Sequence, residues 1–564
     1  MTTTATAPAR VDLAPDGAAS DQLTPIDRYL AEQADLTAVE RFSQRHETGA
    51  LPAQARYYRD LVPLHQPGPG QQYGFEVDLD ACTGCKACVT ACHSLNGLDD
   101  GESWRTVGLV EAGGTEPYQQ PVTAACHHCV EPACLQGCPV NAYEKDPVTG
   151  IVVHLDDQCI GCRYCLLTCP YEVPRYNPDR GIVRKCDLCI DRLGAGEAPV
   201  CVSSCPNAAI QVTVIDTAGA RVAAAIAGAT LVTGAPPSAI TVPTTVYRST
   251  RAGAPQPGPS DHPVLRRGHS HPPLAVMLVL TQLAVGASVV DVAMRALAGG
   301  ELVDALRPAT ALVALAVGLL ALGASVLHLG RPVYAFRAVL GIRRSWLSRE
   351  IVAFVAFAGL AAVHGWALLT GATGIESVLG LAVAGAGVVG VACSAMVYAV
   401  THRAWWALPT TGTKFTLSAA LTGAAAVLVT SMAVALVVGP AAAERAALEL
   451  GRPLAALVVA CAMAKLVWEA SLVRHLRPGA PAELRRSAHL LVGELATSSR
   501  WRFALGALGA LSALAALFAA STPAPAVVLG LGAVSFVALV AGELVERWQF
   551  FTAVAPARMP SSPG

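Results

Sequence analysis

Sixteen of the eighteen cysteines in this 564-residue chain fall between Cys82 and Cys205, in four groups of four. The first group is Cys82, Cys85, Cys88 and Cys92; the second is Cys126, Cys129, Cys134 and Cys138. The third is Cys159, Cys162, Cys165 and Cys169; the fourth is Cys186, Cys189, Cys201 and Cys205. Every group opens with a Cys-x2-Cys step, and the last three end in Cys-Pro. Four thiolates hold one [4Fe–4S] cube, and the Cys-x2-Cys-x2-Cys-x3-Cys-Pro run of the third group is the bacterial ferredoxin spacing. Disulfides need an oxidising compartment and have no such rhythm, and structural zinc uses separated Cys-x2-Cys pairs. Sixteen thiolates therefore suit four cubes, a wire for single electrons. In ferredoxin motifs the fourth cysteine of a group ligates the neighbouring cluster. Spacing alone does not say which groups pair. Cys393 and Cys461 lie in apolar runs and read as small buried hydrophobes.

Such loops need a scaffold, and composition divides the chain into two. It is 53% hydrophobic and only 14% charged, with a formal net charge of −1. Bulk charge thus points to no nucleic-acid partner, and the length exceeds a single core. The polar N-terminus shows no apolar export segment and no twin arginine. Residues 1–70 read as an N-terminal helical arm built on IDRYLAEQADLTAVERFSQRHE and closed by a Pro/Gly-rich joint. The arm either docks on the surface of the chain or docks another subunit. Residues 71–248 read as the four-cluster domain, with strand-like pieces YGFEVDLD, GIVVHLD, AIQVTVID and AITVPTTVYR beside the cysteines. Residues 249–272 are a Pro/Gly/Ser-rich linker. Residues 273–558 hold eight apolar spans, at about 273–298, 309–329, 350–370, 376–400, 415–438, 453–474, 501–520 and 525–546, each long enough to cross a bilayer. The fold class is therefore an α+β ferredoxin-like domain fused to an all-α transmembrane bundle of eight helices.

Seventeen Lys and Arg lie near the spans on the cluster-domain side, against Arg295, Arg307, Arg445 and Arg452 on the other. By the positive-inside rule the cluster domain is expected to face the cytoplasm; the expected location is a bacterial inner membrane. Asp291 with Arg295, and Lys465 with Glu469, read as i,i+4 pairs inside spans. The second pair serves either as structural glue or as a proton path. A membrane-soluble partner must meet the wire, and a quinone is the obvious one. His328 ends the second span on the cluster side, with Arg331, Arg349 and Glu350 close in sequence. It is read as part of a quinone site, or else as an interfacial anchor of a helix end.

The cysteine groups resemble the iron–sulfur subunit of dimethyl sulfoxide reductase-type molybdoenzymes. The membrane half resembles that enzyme family's eight-helix anchor subunit, through His328-Leu-Gly-Arg331-Pro332 with Ala335-Phe336-Arg337, Ser345-Trp-Leu-Ser-Arg349-Glu350, and Gly542-Glu543-Leu-Val-Glu546-Arg547-Trp-Gln-Phe-Phe-Thr-Ala. Here the two subunits are fused, and His93 stands where proline often follows a group's last cysteine. The resemblance implies that the first group pairs with the fourth and the second with the third. One cube would use Cys82, Cys85, Cys88 and Cys205; the next Cys186, Cys189, Cys201 and Cys92. The others would use Cys126, Cys129, Cys134 with Cys169, and Cys159, Cys162, Cys165 with Cys138. Pairing of groups adjacent in sequence is the alternative. The resemblance also implies a separate catalytic subunit carrying molybdopterin; the position of His328, Arg331 and Glu350 on the cluster side is what points to their part in electron exchange with a quinol/quinone pool. A haem-bearing anchor, as in some formate dehydrogenase or hydrogenase complexes, needs two histidines facing each other within the bilayer. Of His328, His364, His402, His475 and His489, only His364 lies well inside a span, so no haem is expected. A redox-linked ion pump would rest on the two intramembrane pairs alone.

Overall fold

The computed structural model describes residues 24–27, 58–63, 65–113, 118–251, 258–261, 264–371 and 374–560. Of the expected helical arm only its opening is among them. There Thr24 and Asp27 cap each other, Asp27 N donating to Thr24 Oγ1 at 3.2 Å.

In the cysteine-bearing part, short strands bring distant groups together. β1 (Gln71–Asp78) lies between β8 (Ile210–Asp216, antiparallel) and β9 (Val246–Arg248, parallel). β1 runs into Cys82 and β8 starts just after Cys205, with Val77 opposite Ile210. The sheet thereby sets the first group beside the fourth. β2 (Thr106–Ala112) pairs with β3 (Tyr118–Ala124), which delivers the chain to Cys126. The hairpin β4 (Tyr143–Lys145) and β5 (Val152–His154) returns the chain from Cys138 to Cys159. A second hairpin, β6 (Arg175–Asn177) and β7 (Ile182–Arg184), links Cys169 to Cys186. The expected strand AITVPTTVYR is extended only at its end, since Pro243 has no amide to donate to a ladder.

The second part is helical: α1 (Pro272–Ala298), α2 (Glu301–Val326), α3 (Trp346–Thr370), α4 (Glu376–Ala399), α5 (Leu408–Val438), α6 (Pro440–Leu476), α7 (Ala482–Val492), α8 (Ala496–Ala519) and α9 (Pro525–Thr552). All but the short amphipathic α7 are long and apolar enough to span a membrane. α2 begins eight residues before the expected 309. Glu301 and Asp304 suit a helix N-terminus, and Pro308 is accommodated within the helix. Packing closes two rings of four, α1–α2–α3–α4 and α5–α6–α8–α9. The rings meet where α1 and α5 touch through backbone: a Cβ on Gly286 would lie 1.8 Å from Ala419 O, and one on Gly423 would lie 2.2 Å from Gly286 C. Such close approach by small residues is how helices gain packing energy in lipid.

Candidate functional site

All four Cys-x2-Cys steps make the same turn. The residue before the second cysteine is left-handed in each: Gly84 (φ 71°), His128 (39°), Gly161 (68°) and Leu188 (60°). That turn aims an amide inward. Gly161 N donates to Cys159 Sγ at 3.4 Å and Leu188 N to Cys186 Sγ at 3.4 Å; Gly84 N does the same for Cys82. The last cysteines of the second and fourth groups accept from the amide four residues on, Ala142 N to Cys138 at 3.2 Å and Ala209 N to Cys205 at 3.3 Å. Val173 N serves Cys169 likewise. The first group departs from this. Without a proline after Cys92 the helix Ala87–Leu95 runs on through His93, so Asn96 N bonds the Cys92 carbonyl at 3.2 Å instead. The Asn96 side chain replaces the missing donor, reaching Cys92 Sγ at 3.5 Å.

The structure gathers the sixteen thiols into four quartets. Cys82 is surrounded by Cys88, Cys205 and Cys85; Cys92 by Cys201 and Cys189, next to Cys186. Cys126, Cys129, Cys134 and Cys169 line one gap. Cys138, Cys159, Cys162 and Cys165 face one another. None of the cysteines forms a disulfide. Neighbouring quartets touch in a line. Cys88 approaches Cys201, Cys186 approaches Cys126, and Tyr143 lies among Cys165, Cys134 and Cys138.

Buried cations sit at the junctions. Arg105 lies amid Cys201, Cys88, Cys186 and Cys92; burial alone would lower its pKa, yet those thiols hold it above its ordinary value. Lys185 lies beside Cys126, Cys134 and Cys186. Burial and then neighbouring thiols push the Cys92 thiol up to about 12. Such thiols ionise only with positive charge at hand, as metal ligation supplies. Four thiols around a gap, inward amides and buried cations fit an anionic cube.

The quartet of Cys138, Cys159, Cys162 and Cys165 faces the helices. The α2–α3 loop lies against it by backbone: Gly330 N donates to Gly161 O at 3.3 Å, Arg331 N to Ile160 O at 3.0 Å, and Gly341 N to Pro139 O at 2.7 Å. The contact demands glycine, since a Cβ on Gly330 would sit 2.1 Å from Gly181 O. Tyr164 Oη donates to Val397 O of α4 at 2.7 Å, and Ser345 Oγ to Gly137 O at 2.6 Å.

His328 follows the end of α2, buried, its ring bonded to the Cys162 backbone and 5.1 Å from the ring of His271. Burial, then Arg163 and His269, pull its pKa down to about 4, so it is neutral at neutral pH. Glu350 is buried, accepts from Ser394, and lies near Tyr164 and Tyr398. His328 and Glu350 thus both flank the Cys162–Cys165 turn. Arg331 does not join them. Its guanidinium donates to Arg180 O at 3.3 Å and Asp156 O at 2.8 Å, fastening the loop to the cysteine-bearing part. Arg349 likewise bonds Ile342 O and Arg343 O.

The ring α5–α6–α8–α9 buries an ionic network that pairing along single helices could not foresee. Lys465 bonds Glu543 and lies 3.9 Å from Glu469. Arg502 grips Glu469 at 2.9 and 3.0 Å and Glu543 at 2.9 Å. Lys414 meets Glu546 at 2.9 Å, and Arg547 bonds Glu546, Ser418 and Gln282. The expected Asp291–Arg295 pair is corrected. Asp291 points across to Arg307 of α2 at 3.2 Å, while Arg295 turns outward to Asp304 at 3.2 Å.

Comparison with known families places these features. The 4Fe-4S dicluster domain family matches residues 119–215, and the DMSO reductase anchor subunit (DmsC) family matches residues 265–553. The B subunit of the anaerobic dimethyl sulfoxide reductase of Escherichia coli K12 is 42% identical over 154 residues, 26% of this chain and 75% of that protein. Hydrogenase-2 operon protein HybA of Escherichia coli O157:H7 is 37% identical over 190 residues, 29% of this chain and 57% of the relative. The formate dehydrogenase-O iron-sulfur subunit of Escherichia coli K12 is 35% identical over 151 residues, 24% of this chain and 50% of the relative.

Proposed function

This chain belongs to the DMSO reductase anchor subunit (DmsC) family, and from that premise we propose how its fused halves move electrons. It is an electron-transfer and membrane-anchor subunit of a molybdoenzyme complex, multi-pass in the membrane and carrying iron–sulfur clusters. In our reading the four quartets hold four [4Fe–4S] clusters, with ligands paired first group with fourth and second with third. Each cluster, when bound, takes up and releases one electron at a time. The observation that carries this reading is the unbroken line of quartets, ending against the α2–α3 loop. The exposed Cys85 marks the far end, where a molybdopterin-containing catalytic subunit would meet the chain.

The near end meets the membrane quinone pool. A quinol gives up two electrons and two protons. His328, buried beside Cys162, is placed to accept a hydrogen bond from one quinol hydroxyl and take its proton, Glu350 to take the other proton, while the two electrons pass one at a time to the adjacent cluster. Arg331 holds the loop that positions His328 and is a positioning residue. The likeness to HybA and to the formate dehydrogenase-O iron-sulfur subunit leaves a second reading, a catalytic partner of hydrogenase or formate dehydrogenase type; the copurifying large subunit decides it.

Two measurements test the assignment. Iron and acid-labile sulfide should each approach about sixteen per chain, four for each cube; half that number would remove two clusters. A reporter fused after Gly564 should be active in the cytoplasm of a bacterial host, because the basic loops lie on the cluster side. Activity in the periplasm would reverse the orientation.

A further inference from the structure

Between the cysteine-bearing part and the helices lies a cavity whose wall includes His271, the ring neighbour of His328. Its basic wall is Arg266, Arg267, Arg403, Arg486 and Arg558, with Arg175 across from them. Arg267 meets Glu494 at 3.3 Å, Arg403 meets Glu172 at 3.9 Å and Arg558 meets Asp261 at 2.6 Å. Among the described residues Arg175, Arg266 and Arg486 have no ion-pair partner, and Arg486 Nε and His271 Nδ1 are buried without a hydrogen-bond partner. Burial holds the guanidinium groups of Arg403 and Arg486 below their ordinary pKa, Arg558 adding to the effect at Arg486, while Glu172 and Glu483 oppose it at Arg403 and Asp261 and Glu483 oppose it at Arg486. Six guanidinium groups thus face Glu172, Asp261, Glu483 and Glu494, an excess of positive charge that an anion would offset.

The cavity is preformed. Glu483 accepts from Ala404 N at 3.2 Å and from Ala557 N at 3.1 Å, fixing the segments that carry Arg403 and Arg558. Gly268 N donates to Thr552 O at 2.9 Å, strapping the Arg266–Arg267 segment to the end of α9. The remaining wall is mostly apolar, with Leu166, Leu167, Trp406, Phe551 and Val554, but also carries the Glu172 carboxylate and the rings of His269 and His271. The helix-borne walls come from just before α1, just before α5, the last turn of α9 and α7, so the cavity lies at the level where the spans end on the cluster side.

We propose that this cavity binds a phosphate-bearing anion, and that its occupant is the headgroup of an acidic phospholipid. Guanidinium forks match phosphate oxygens, and basic pockets at the cytoplasmic ends of spans suit acidic headgroups. The apolar wall accepts the first carbons of the acyl chains.

The test uses the full chain, purified in detergent and freed of lipid, with three probes: phosphatidylglycerol, phosphatidylcholine and inorganic phosphate. Native mass spectrometry counts retained lipid, and thermal unfolding reports protection. Wild type should retain phosphatidylglycerol and not phosphatidylcholine. Arg266→Gln with Arg486→Gln should need about tenfold more phosphatidylglycerol for half-protection, while Arg343→Gln, on the exposed α2–α3 loop, should match wild type. Should the double variant lose its clusters' visible absorption, Arg266→Gln alone carries the comparison. Inorganic phosphate that protects wild type and displaces phosphatidylglycerol upholds the anion site and assigns it to free phosphate. Equal protection of wild type and variant by phosphatidylglycerol overturns the proposal.

Discussion

Glu543→Ala is expected to destabilise the membrane half by about 3–5 kcal/mol, the usual penalty for leaving buried charges without their partner. Glu543 is fully buried and bonds Lys465, Arg502 and Ser418 at once. The network sets Lys414, Lys465, Arg502 and Arg547 against Glu469, Glu543 and Glu546, so the loss of one carboxylate leaves four cations against two. Thermal unfolding of the detergent-solubilised chain should show the loss as an early transition of the helices. Glu543→Gln should fall between, since it keeps the bond to Ser418 and loses the charge. If both variants unfold like wild type while quinol-dependent turnover collapses, the network carries protons and is not structural glue.

His328→Arg should lower quinol-dependent turnover by about a hundredfold, the scale of a lost general base, while the clusters persist. The new guanidinium would displace the acceptor nitrogen and stand beside Arg163, already close to His328. His328→Gln separates two roles, because the amide can still bond the Cys162 backbone but cannot take a proton. An artificial donor that feeds the clusters directly should drive both variants at the wild-type rate. Wild-type quinol turnover in either assembled variant would mean that His328 only fastens the end of α2 to the third cysteine group.

What the sequence made legible follows the range over which each signal acts. The cysteine groups could be read because three of each proposed cube's four ligands come from one short stretch, although the fourth comes from a distant group that only strand pairing brings near, and the spans because an apolar run is contiguous. Asp291 was matched to the wrong arginine because i,i+4 spacing sees one helix, whereas Arg307 faces it from the next. The beginning of α2 was missed because Glu301, Asp304 and Arg307 interrupt the apolar run while satisfying the helix N-terminus and Asp291. The bonds from Lys465 to Glu543 and from Arg547 to Gln282 join residues 78 and 265 positions apart, which no local pattern encodes. Arg331 was grouped with the quinone site by proximity in sequence, yet its side chain turns to backbone carbonyls across the junction. The role of Asn96 had a local signal, the absent proline at His93, although the donor that compensates for it became visible only in the structure.

The bonds from Gly330 and Arg331 to Gly161 and Ile160 imply an order of biogenesis. Their acceptors lie between Cys159 and Cys162, in a turn whose shape the proposed metal ligation would help to set. A nascent chain without iron would present the α2–α3 loop to a floppy partner and leave its amides unmatched. If the proposed cluster forms there, closure of the junction would follow cofactor insertion, and a chain starved of iron would stay open there to proteolysis. Fusion into one polypeptide keeps the two surfaces at high local concentration throughout, so closure does not wait on a second gene product.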